Sequence, residues 1–293
     1  PAPDFSFLAG SCAYFNEPAV DRPGKPYGGD SSIFESMAKE KAAFMLWLGD
    51  SWYTREVDYF DAWGLWNRAS HDRRFPILQN FLKSTSHFAM WDDHDYGPND
   101  IGTNYILKEA SREVFKNYWL NTSYGMNGQG VYSMISYGDV DVFMMDDRWW
   151  RSADAMKDTV DGKPNEDKHM WGKEQLEWLK NSLLYSKASF KIIATGSQVL
   201  NPVYSFDRLA NCPVEYDEIM NFLKLNEISG VLFLTGDRHH SEIIKVEREG
   251  AYPLYDVTAS PLTSGTHSFG GPEKNNPYRV LGLDQKQNYT KFS

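Results

Sequence analysis

The sequence predicts an α/β protein in which stacked mixed β-sheets are flanked by helices. Short continuous apolar runs alternate with amphipathic runs of helical period along the chain, which predicts strands that alternate with helices. The apolar runs carry few polar residues at alternate positions, as in strands that are buried on both faces. Two of the runs are joined by a tight turn, which adds antiparallel pairing to an otherwise parallel pattern.

Composition and charge narrow the class of protein. The chain has 293 residues, 41% of them hydrophobic, and we expect one domain over residues 1–293. The formal net charge of −10 argues against a broad surface for nucleic acid or anionic membrane, although bound cations can still attract an anionic substrate. No apolar run reaches the roughly 18–20 residues needed to span a bilayer. The oligomeric state is left open.

The N-terminus and the cysteines bear on the compartment. The chain begins with Pro1 rather than Met, and the opening PAPDF suits a chain from which a secretory leader has been removed. Cys12 and Cys212 permit one disulfide without requiring it. We therefore expect an extracytoplasmic protein, periplasmic or secreted.

The first half of the chain predicts three strands, each followed by a helical segment. Asp30 or Ser31 is expected to cap the first helix. In chain order these elements are a strand at 5–12, a helix at 31–42, a strand at 43–50, a helix at 70–84, a strand that runs into charged residues at 87–95, and a helix at 108–120.

The second half begins with a hairpin. Residues 130–148 predict two strands joined by a turn at 137–139. Residues 152–170 predict a long polar surface loop, placed to cover an active site. The remaining elements are a helix at 172–188, a strand at 190–197, a helix at 215–226, and strands at 230–237, 241–249 and 254–260.

Polar residues collect where the predicted strands end. In open α/β sheets the functional crevice lies beyond the carboxyl ends of the strands. If these strands are neighbours, the clusters converge on one place. The clusters are Cys12; Asp50 with Tyr53; Asp92, Asp93, His94 and Asp95; Asp146, Asp147 and Arg148; and Asp237, His239 and His240.

So many carboxylates at one place predict bound cations. Uncompensated carboxylates repel each other, and their burial would raise their pKa values and cost stability. The donors include carboxylates, imidazoles, a phenol and a thiol. That mixture suits a trivalent or divalent transition ion beside a second cation that prefers oxygen ligands. Asp50, on a short turn after a central strand, is well placed to bridge two ions.

Each residue also has a structural interpretation when it is taken alone. An aspartate after a strand, such as Asp50, is usually a turn former or a helix cap, and Tyr53 alone is more often a half-buried core aromatic. Cys12 alone suits a buried small side chain or half of a disulfide. The joint occurrence of these residues at successive strand ends favours the hypothesis of a multinuclear metal site.

Seven stretches of the sequence resemble the PhoD-like alkaline phosphatase family, within the metallophosphoesterases. They extend from about Phe5 to Gly265, and the combination of WDDHD with LTGDRHH is the specific part. The stretches are AGSC (9–12), LGDSWY (48–53), WDDHDYGPND (91–100), MDDRWWR (145–151), GKEQLEWLKNSLLYSKASFKIIATGSQ (172–198), LTGDRHHSEI (234–243) and TASPLTSG (258–265).

The resemblance implies a fold and a reaction. The fold is a four-layer αββα sandwich of two mixed sheets flanked by helices, with the metals above the inner sheets. The reaction is the hydrolysis of phosphate monoesters or diesters by a metal-activated hydroxide. The implied cofactors are Fe³⁺ and Ca²⁺, with Mn²⁺ or Zn²⁺ as alternatives. A phosphate ester is thus the expected substrate.

The resemblance also assigns roles to residues. Cys12, Asp50 and Tyr53 resemble the iron ligands, and Asp50 also resembles the bridging carboxylate. The full set of implied metal ligands is Cys12, Asp50, Tyr53, Asp93, Asn99, Asp237 and His239. Arg148, with Asn99, resembles the contact to phosphate oxygens. His94 stands where related phosphoesterases keep a histidine near the leaving group, so Asp50, His94 and Arg148 form the expected catalytic set.

Two departures from the family pattern remain. The chain stops soon after NPYRVLGLDQ, so that the expected late strand is either missing or different. The loop 152–170 matches no family segment, and no N-terminal β domain is visible.

Two other classes of protein compete with this interpretation. GDS at 49–51, GPND at 97–100 and DRHH at 237–240 imitate the blocks of a GDS-type serine esterase. Ser51 would then be the nucleophile, Asn99 an oxyanion-hole donor, and Asp237 with His240 the base pair. A non-enzymatic module is the other alternative, in which the 10 Trp and 17 Tyr line a sugar-binding face.

Overall fold

Two β-sheets pack face to face in the computed structural model, which describes residues 4–203 and 207–293. The strands are β1 (Phe7–Gly10), β2 (Phe44–Leu48), β3 (Ser86–Met90), β4 (Ser133–Tyr137), β5 (Val140–Met144), β6 (Thr159–Val160), β7 (Lys163–Pro164), β8 (Phe190–Thr195), β9 (Val231–Thr235), β10 (Ser241–Arg248), β11 (Ala251–Thr258), β12 (Arg279–Leu283) and β13 (Thr290–Phe292). Within the described residues, one sheet has four strands and the other has seven.

Both sheets mix parallel and antiparallel pairs. The smaller sheet has the order β13-β1-β2-β3, in which β1, β2 and β3 are parallel and β13 is antiparallel to β1. The larger sheet has the order β12-β10-β11-β9-β8-β5-β4, and its central pairs from β11 to β5 are parallel. The hairpin predicted at 130–148 is formed by β4 and β5.

Helices cover the outer face of each sheet. They are α1 (Ile33–Lys39), α2 (Ala62–Asp72), α3 (Pro76–Leu82), α4 (Asp93–Tyr96), α5 (Lys108–Tyr118), α6 (Lys173–Tyr185) and α7 (Pro213–Leu225). One core joins the smaller sheet to α1, α2, α3 and α5, and another joins the larger sheet to α6 and α7. A third core lies between the sheets, so the predicted four-layer αββα sandwich is confirmed.

Alternation along β2 shows how the layers are built. Met45 and Trp47 enter the core beneath the helices, whereas Phe44, Leu46 and Leu48 enter the core between the sheets. Every residue of β2 is therefore buried, because successive side chains of a strand point to opposite faces. This double burial produces the continuous apolar run seen in the sequence.

The single helix predicted at 70–84 is wrong in its extent. The chain instead forms α2, which begins eight residues earlier at Ala62, and α3, which begins at Pro76. Proline at the first position of a helix lacks only an N–H that has no helical partner there, but it cannot continue a preceding helix. Asp61 caps α2 by accepting a hydrogen bond from the Gly64 N–H.

The C-terminal segment supplies the late strands whose presence was in doubt. β13 pairs with β1, and Phe292 stacks on Phe7 with ring centroids 4.7 Å apart. The loop 152–170 contains the short exposed pair β6 and β7. Cys12 and Cys212 are both buried and unpaired. Among the described residues, no helix has the length and apolar character to cross a membrane.

Candidate metal centre

The carboxyl ends of strands from both sheets meet at one place. β1 leads to Cys12, β2 to Asp50, and β3 to Asp93 and His94, while β9 of the larger sheet leads to His239. The smaller sheet is parallel across β1, β2 and β3, and the facing sheets run with these ends together. Parallel strands thus bring residues that are distant in sequence into one crevice.

The first group of donors is Cys12, Asp50 and His239. Each offers one ligand atom, and these atoms all lie within 4.8 Å of one another. The Cys12 Sγ is 3.6 Å from an Asp50 carboxylate oxygen. Tyr53 adjoins the group, because its hydroxyl is 3.3 Å from His239 Nε2.

The second group of donors is Asp50, Asp93 and His94, whose ligand atoms also lie within 4.8 Å of one another. His94 Nε2 is 4.0 Å from an Asp93 carboxylate oxygen, and the buried His94 Nδ1 has no hydrogen-bond partner among the described residues. Asp50 belongs to both groups, which is the position expected of a bridging carboxylate.

The backbone is strained at the candidate ligands. Cys12, Asp50, Asp237 and His239 all have positive φ angles, of 60°, 51°, 63° and 57°. Residues other than glycine occupy this region at a cost, and such strain persists where the surrounding structure imposes it, often at functional sites.

Glycine allows the strand ends to approach closely. Gly49 has a φ of 89°, and a Cβ atom there would lie 2.4 Å from the Cβ of Asp92. A Cβ on Gly236 would lie 2.5 Å from the Leu48 carbonyl oxygen. In the GD sequence at both strand ends, the glycine is therefore required for close packing and the aspartate supplies a carboxylate.

Electrostatics indicate that the carboxylates need a counter-charge. Burial raises the pKa of Asp50 well above its usual range, and the neighbouring Asp93 and Cys12 raise it further. Burial also raises the pKa of Asp237 to about 6, against the opposing effect of Arg238. The Asp93 pKa is lowered despite burial, because His94 and Arg148 lie nearby.

The pKa values of the Cys12 thiol and the Tyr53 phenol also indicate that a positive charge is needed at this site. Burial raises the pKa of Cys12 to about 12, and Asp237 adds to the effect. Burial, followed by Asp50 and Cys12, raises the pKa of Tyr53. A cation reverses these shifts, because it stabilises thiolate, phenolate and carboxylate together. The donor set therefore fits metal ions.

Neighbouring hydroxyls and carbonyls orient the sulfur and imidazole donors. Ser260 donates a hydrogen bond to Cys12 Sγ at 3.2 Å. His239 Nδ1 lies 2.6 Å from the Gly265 carbonyl and 3.2 Å from the Tyr27 hydroxyl. The bond to the carbonyl leaves Nε2 facing Tyr53 and Asp50, as is usual for a metal-binding histidine.

The Arg148 guanidinium is buried and is held by two aspartates, which leaves one of its nitrogens without a partner among the described residues. Its side chain is 1% exposed and donates to Asp92 at 2.6 Å from Nε and to Asp207 at 3.2 Å from Nη2. Its Nη1 has no hydrogen-bond partner among the described residues. Asp146 is occupied elsewhere, because it accepts bonds from the backbone N–H groups of Arg148 and Trp149.

Asn99 lies on the wall of a cleft beside His94. It is exposed, and its amide donates to Asp100 at 2.5 Å. The Asp100 backbone N–H binds Asp93 at 2.9 Å, so this turn supports the second group through its main chain.

The residues of the serine-esterase alternative do not form a triad. Ser51 is fully buried, donates to Asp95 at 2.6 Å and accepts from the Trp119 indole at 3.2 Å. His240 lies near Glu242, 3.5 Å away. The Ser51 hydroxyl is thus bonded to a carboxylate and an indole rather than to a histidine, which argues against the esterase alternative.

Several residues that support the candidate ligands have no recognisable pattern in the sequence. Tyr27 follows a proline-rich segment, and His267 stacks on His239 with ring centroids 4.7 Å apart. Neither carries a sequence signal, because both are placed by long loops. Asp95 was visible within WDDHD, but its role as the partner of Ser51 depends on contact between two separate turns.

The fold is of the metallophosphoesterase type, and comparisons with known proteins identify the family. The sequence profile of the family described as PhoD-like phosphatase matches residues 7–290. The chain belongs to the PhoD-like phosphatase family.

Individual relatives are distant. Alkaline phosphatase D of Bacillus subtilis (strain 168) is 24% identical over 282 residues, which cover 82% of this chain and 46% of that protein. The solved structure of PhoD superimposes with a TM-score of 0.80 at 21% identity, covering 98% of this chain and 63% of that one. The chain spans about half the length of the curated relative it matches.

A more distant structure shares the fold. Purple acid phosphatase PPD1 from yellow lupin (Lupinus luteus) seeds superimposes with a TM-score of 0.64 at 10% identity, covering 99% of this chain and 49% of that one. At these identities both superpositions establish the architecture alone.

Proposed function

We propose that the protein is a metal-dependent hydrolase of phosphoric esters, acting on monoesters, diesters or both. The observation that carries the proposal is the pair of donor groups that share Asp50. Two cations separated by one carboxylate suit phosphoryl transfer, because charge develops on both the attacking and the leaving oxygen.

Fe³⁺ is the proposed occupant of the first group and Ca²⁺ of the second. Thiolate, phenolate and imidazole from Cys12, Tyr53 and His239 suit a transition ion. Asp50 and Asp93 offer the oxygen donors that Ca²⁺ prefers, and Asn99 and Asp237 are the further ligands that the family resemblance implies. When bound, such cations lower the pKa of a water molecule and neutralise phosphoryl oxygens.

His94 is the proposed proton donor to the leaving group. Its ring packs against Tyr53 with centroids 4.2 Å apart, which fixes its orientation, and its side chain is 22% exposed on the cleft side of the site. Burial lowers the His94 pKa, while Asp93 opposes this effect. A protonated ring beside Asp93 gives its proton to the departing ester oxygen.

Arg148 is proposed to act on phosphoryl oxygens through its remaining nitrogen. Asp92 and Asp207 hold the guanidinium at its Nε and Nη2 atoms, which leaves Nη1 to donate. A guanidinium held in this way is pre-organised, so little entropy is lost when it binds an anion.

The proposal is tested by hydrolysis of p-nitrophenyl phosphate and bis(p-nitrophenyl) phosphate before and after metal removal. We expect turnover of at least one ester, loss of turnover on chelation, and recovery when iron and calcium are returned. Turnover that survives complete removal of metal would contradict the proposal.

A further inference from the structure

A cleft of about 600 Å³ opens beside the candidate metal centre. Tyr53 and His94 line it and connect it to the donor groups. The rest of the lining comes largely from the segments 21–27 and 53–59. We call it the leaving-group cleft, because it is placed to receive the leaving group of an ester.

Its position beside the donor groups defines which part of a substrate it receives. In ester hydrolysis the bond from phosphorus to the ester oxygen breaks and a bond from phosphorus to a water oxygen forms. The ester oxygen leaves as an alcohol after it takes up a proton, and the attacking water gives up a proton in exchange. The incoming and leaving oxygens lie roughly in line, so the leaving group extends away from the attacking water, and the cleft is the open space beside the donors that can receive it.

Tyrosine rings line this cleft. The Tyr14 ring lies 5.0 Å from both Tyr27 and Tyr53, edge to face. Tyr14 is itself held, because its hydroxyl donates to Asp21 at 2.7 Å and the Arg55 guanidinium lies 4.1 Å from its ring centroid. Tyr59 completes the aromatic lining. Rigid rings offer flat faces that are matched by another planar ring.

The outer part of the cleft carries positive charge. Its acids, Asp21 and Glu56, are bonded to Arg55 and Arg22 at 3.1 and 2.7 Å. Lys25 lines the same cleft, is exposed, and forms no ion pair in the described part of the chain. A protein with a net charge of −10 thus presents a local cation at this entrance, where an anionic ester approaches.

We infer that this cleft selects esters whose leaving group carries a planar aromatic ring, such as a nucleoside, over polyols and sugars. The inference rests on the proposed function and names its substrate class. Stacking on Tyr59 supplies the preference, and Lys25 contributes attraction at the entrance.

The experiment compares three monoesters of primary alcohols: adenosine 5′-monophosphate, glucose 6-phosphate and glycerol 1-phosphate. Because each leaving oxygen is a primary alkoxide, differences in kcat/KM report contacts to the leaving group. We expect kcat/KM for the adenosine ester to exceed the other two by about tenfold, the order expected from one stacked base.

Variants locate the effect. Tyr59→Leu should remove most of the preference through a higher KM for the adenosine ester, and Lys25→Gln should raise KM for all three esters. Tyr185→Leu, at an exposed tyrosine on α6, is the matched control and should change nothing. Equal kcat/KM for the adenosine and glucose esters, or a preference that survives Tyr59→Leu, would overturn the inference.

A binding measurement separates this inference from the proposed function. Adenosine without phosphate should bind the protein in calorimetry, and Tyr59→Leu should weaken that binding at least severalfold. Binding without turnover of any ester would overturn the proposed function alone. Absence of adenosine binding beside normal turnover would overturn the inference alone.

Discussion

Single residues at this site are placed by unusual backbone conformations and shared partners. Asp50 combines a φ of 51° with membership of both donor groups. The next residue, Ser51, turns the opposite way and joins Asp95 and Trp119. One tight turn therefore sends a carboxylate into the candidate centre and a hydroxyl into the protein interior.

Ser51→Ala tests whether this hydroxyl does chemistry or holds the turn. We expect the variant to keep phosphate-ester turnover within about tenfold and to lose about 2–3 kcal/mol of unfolding free energy, because two buried hydrogen bonds are lost and one of them is to a carboxylate. Steady-state kinetics and urea denaturation measure the two effects. Complete loss of activity in a stably folded variant would revive the serine-nucleophile hypothesis.

His94→Gln tests proton donation to the leaving group. Esters of poor leaving groups, such as primary alcohols, need the proton, whereas p-nitrophenolate leaves readily without it. We expect kcat to fall by about 10²–10⁴ on an alkyl phosphate and much less on p-nitrophenyl phosphate. Equal losses on both esters would argue that His94 serves the metals or the fold instead.

Most of the candidate metal ligands can be predicted from the sequence, because each of them follows an apolar run that forms a strand. Cys12, Asp50 and His239 stand at such ends, and their convergence follows from the topology. The position of a residue within a motif does not predict how deeply its side chain is buried. Asn99 is exposed on a cleft wall, whereas Arg148 is enclosed by aspartates.

At the scale of elements, the strands were more predictable than the helices that cover them. A strand buried on both faces leaves a continuous apolar run, as in β2. α2 is harder to recognise, because its sequence carries Gly64 and polar residues and its packing against α5 supplies the stability that its propensity lacks.

His87 on β3 gives the protein a specific sensitivity to acid. It accepts a hydrogen bond from the Trp47 indole at 3.0 Å and faces Arg73 as its charged neighbour. Burial lowers the His87 pKa to about 4, and Arg73 adds to the effect. The unfolded chain therefore binds a proton more readily than the folded one between pH 4 and about 6.5.

The sign of this effect is a loss of stability as the pH falls through that window, by at most about 3 kcal/mol from His87. His87→Gln keeps an acceptor for Trp47 but cannot titrate. We expect its unfolding free energy to fall less than that of the wild type between pH 6.5 and 4, measured by urea denaturation at matched metal content. Parallel pH curves would show that His87 contributes nothing.

At the scale of the whole molecule, strands of the two sheets end at the same edge of the sandwich, and the candidate site lies at that edge. An apolar core fills the space between the sheets, and the candidate ligands follow the points where the strands end. The alternation of apolar and amphipathic runs in the sequence predicts the order of the layers. It does not predict the distances between the loops. The leaving-group cleft depends on the loops 21–27 and 53–59, whose mutual approach has no local sequence pattern.

The central claim is that cations neutralise the donors gathered at these strand ends. The most direct test is elemental analysis of protein purified without added metal, for the wild type, Asp50→Asn, and Asp139→Asn, an exposed turn residue, as control. We predict more than one metal ion per chain in the wild type and the control, iron among them, and a joint loss of metal and activity in Asp50→Asn. Fully active wild-type protein that contains no metal would contradict the claim.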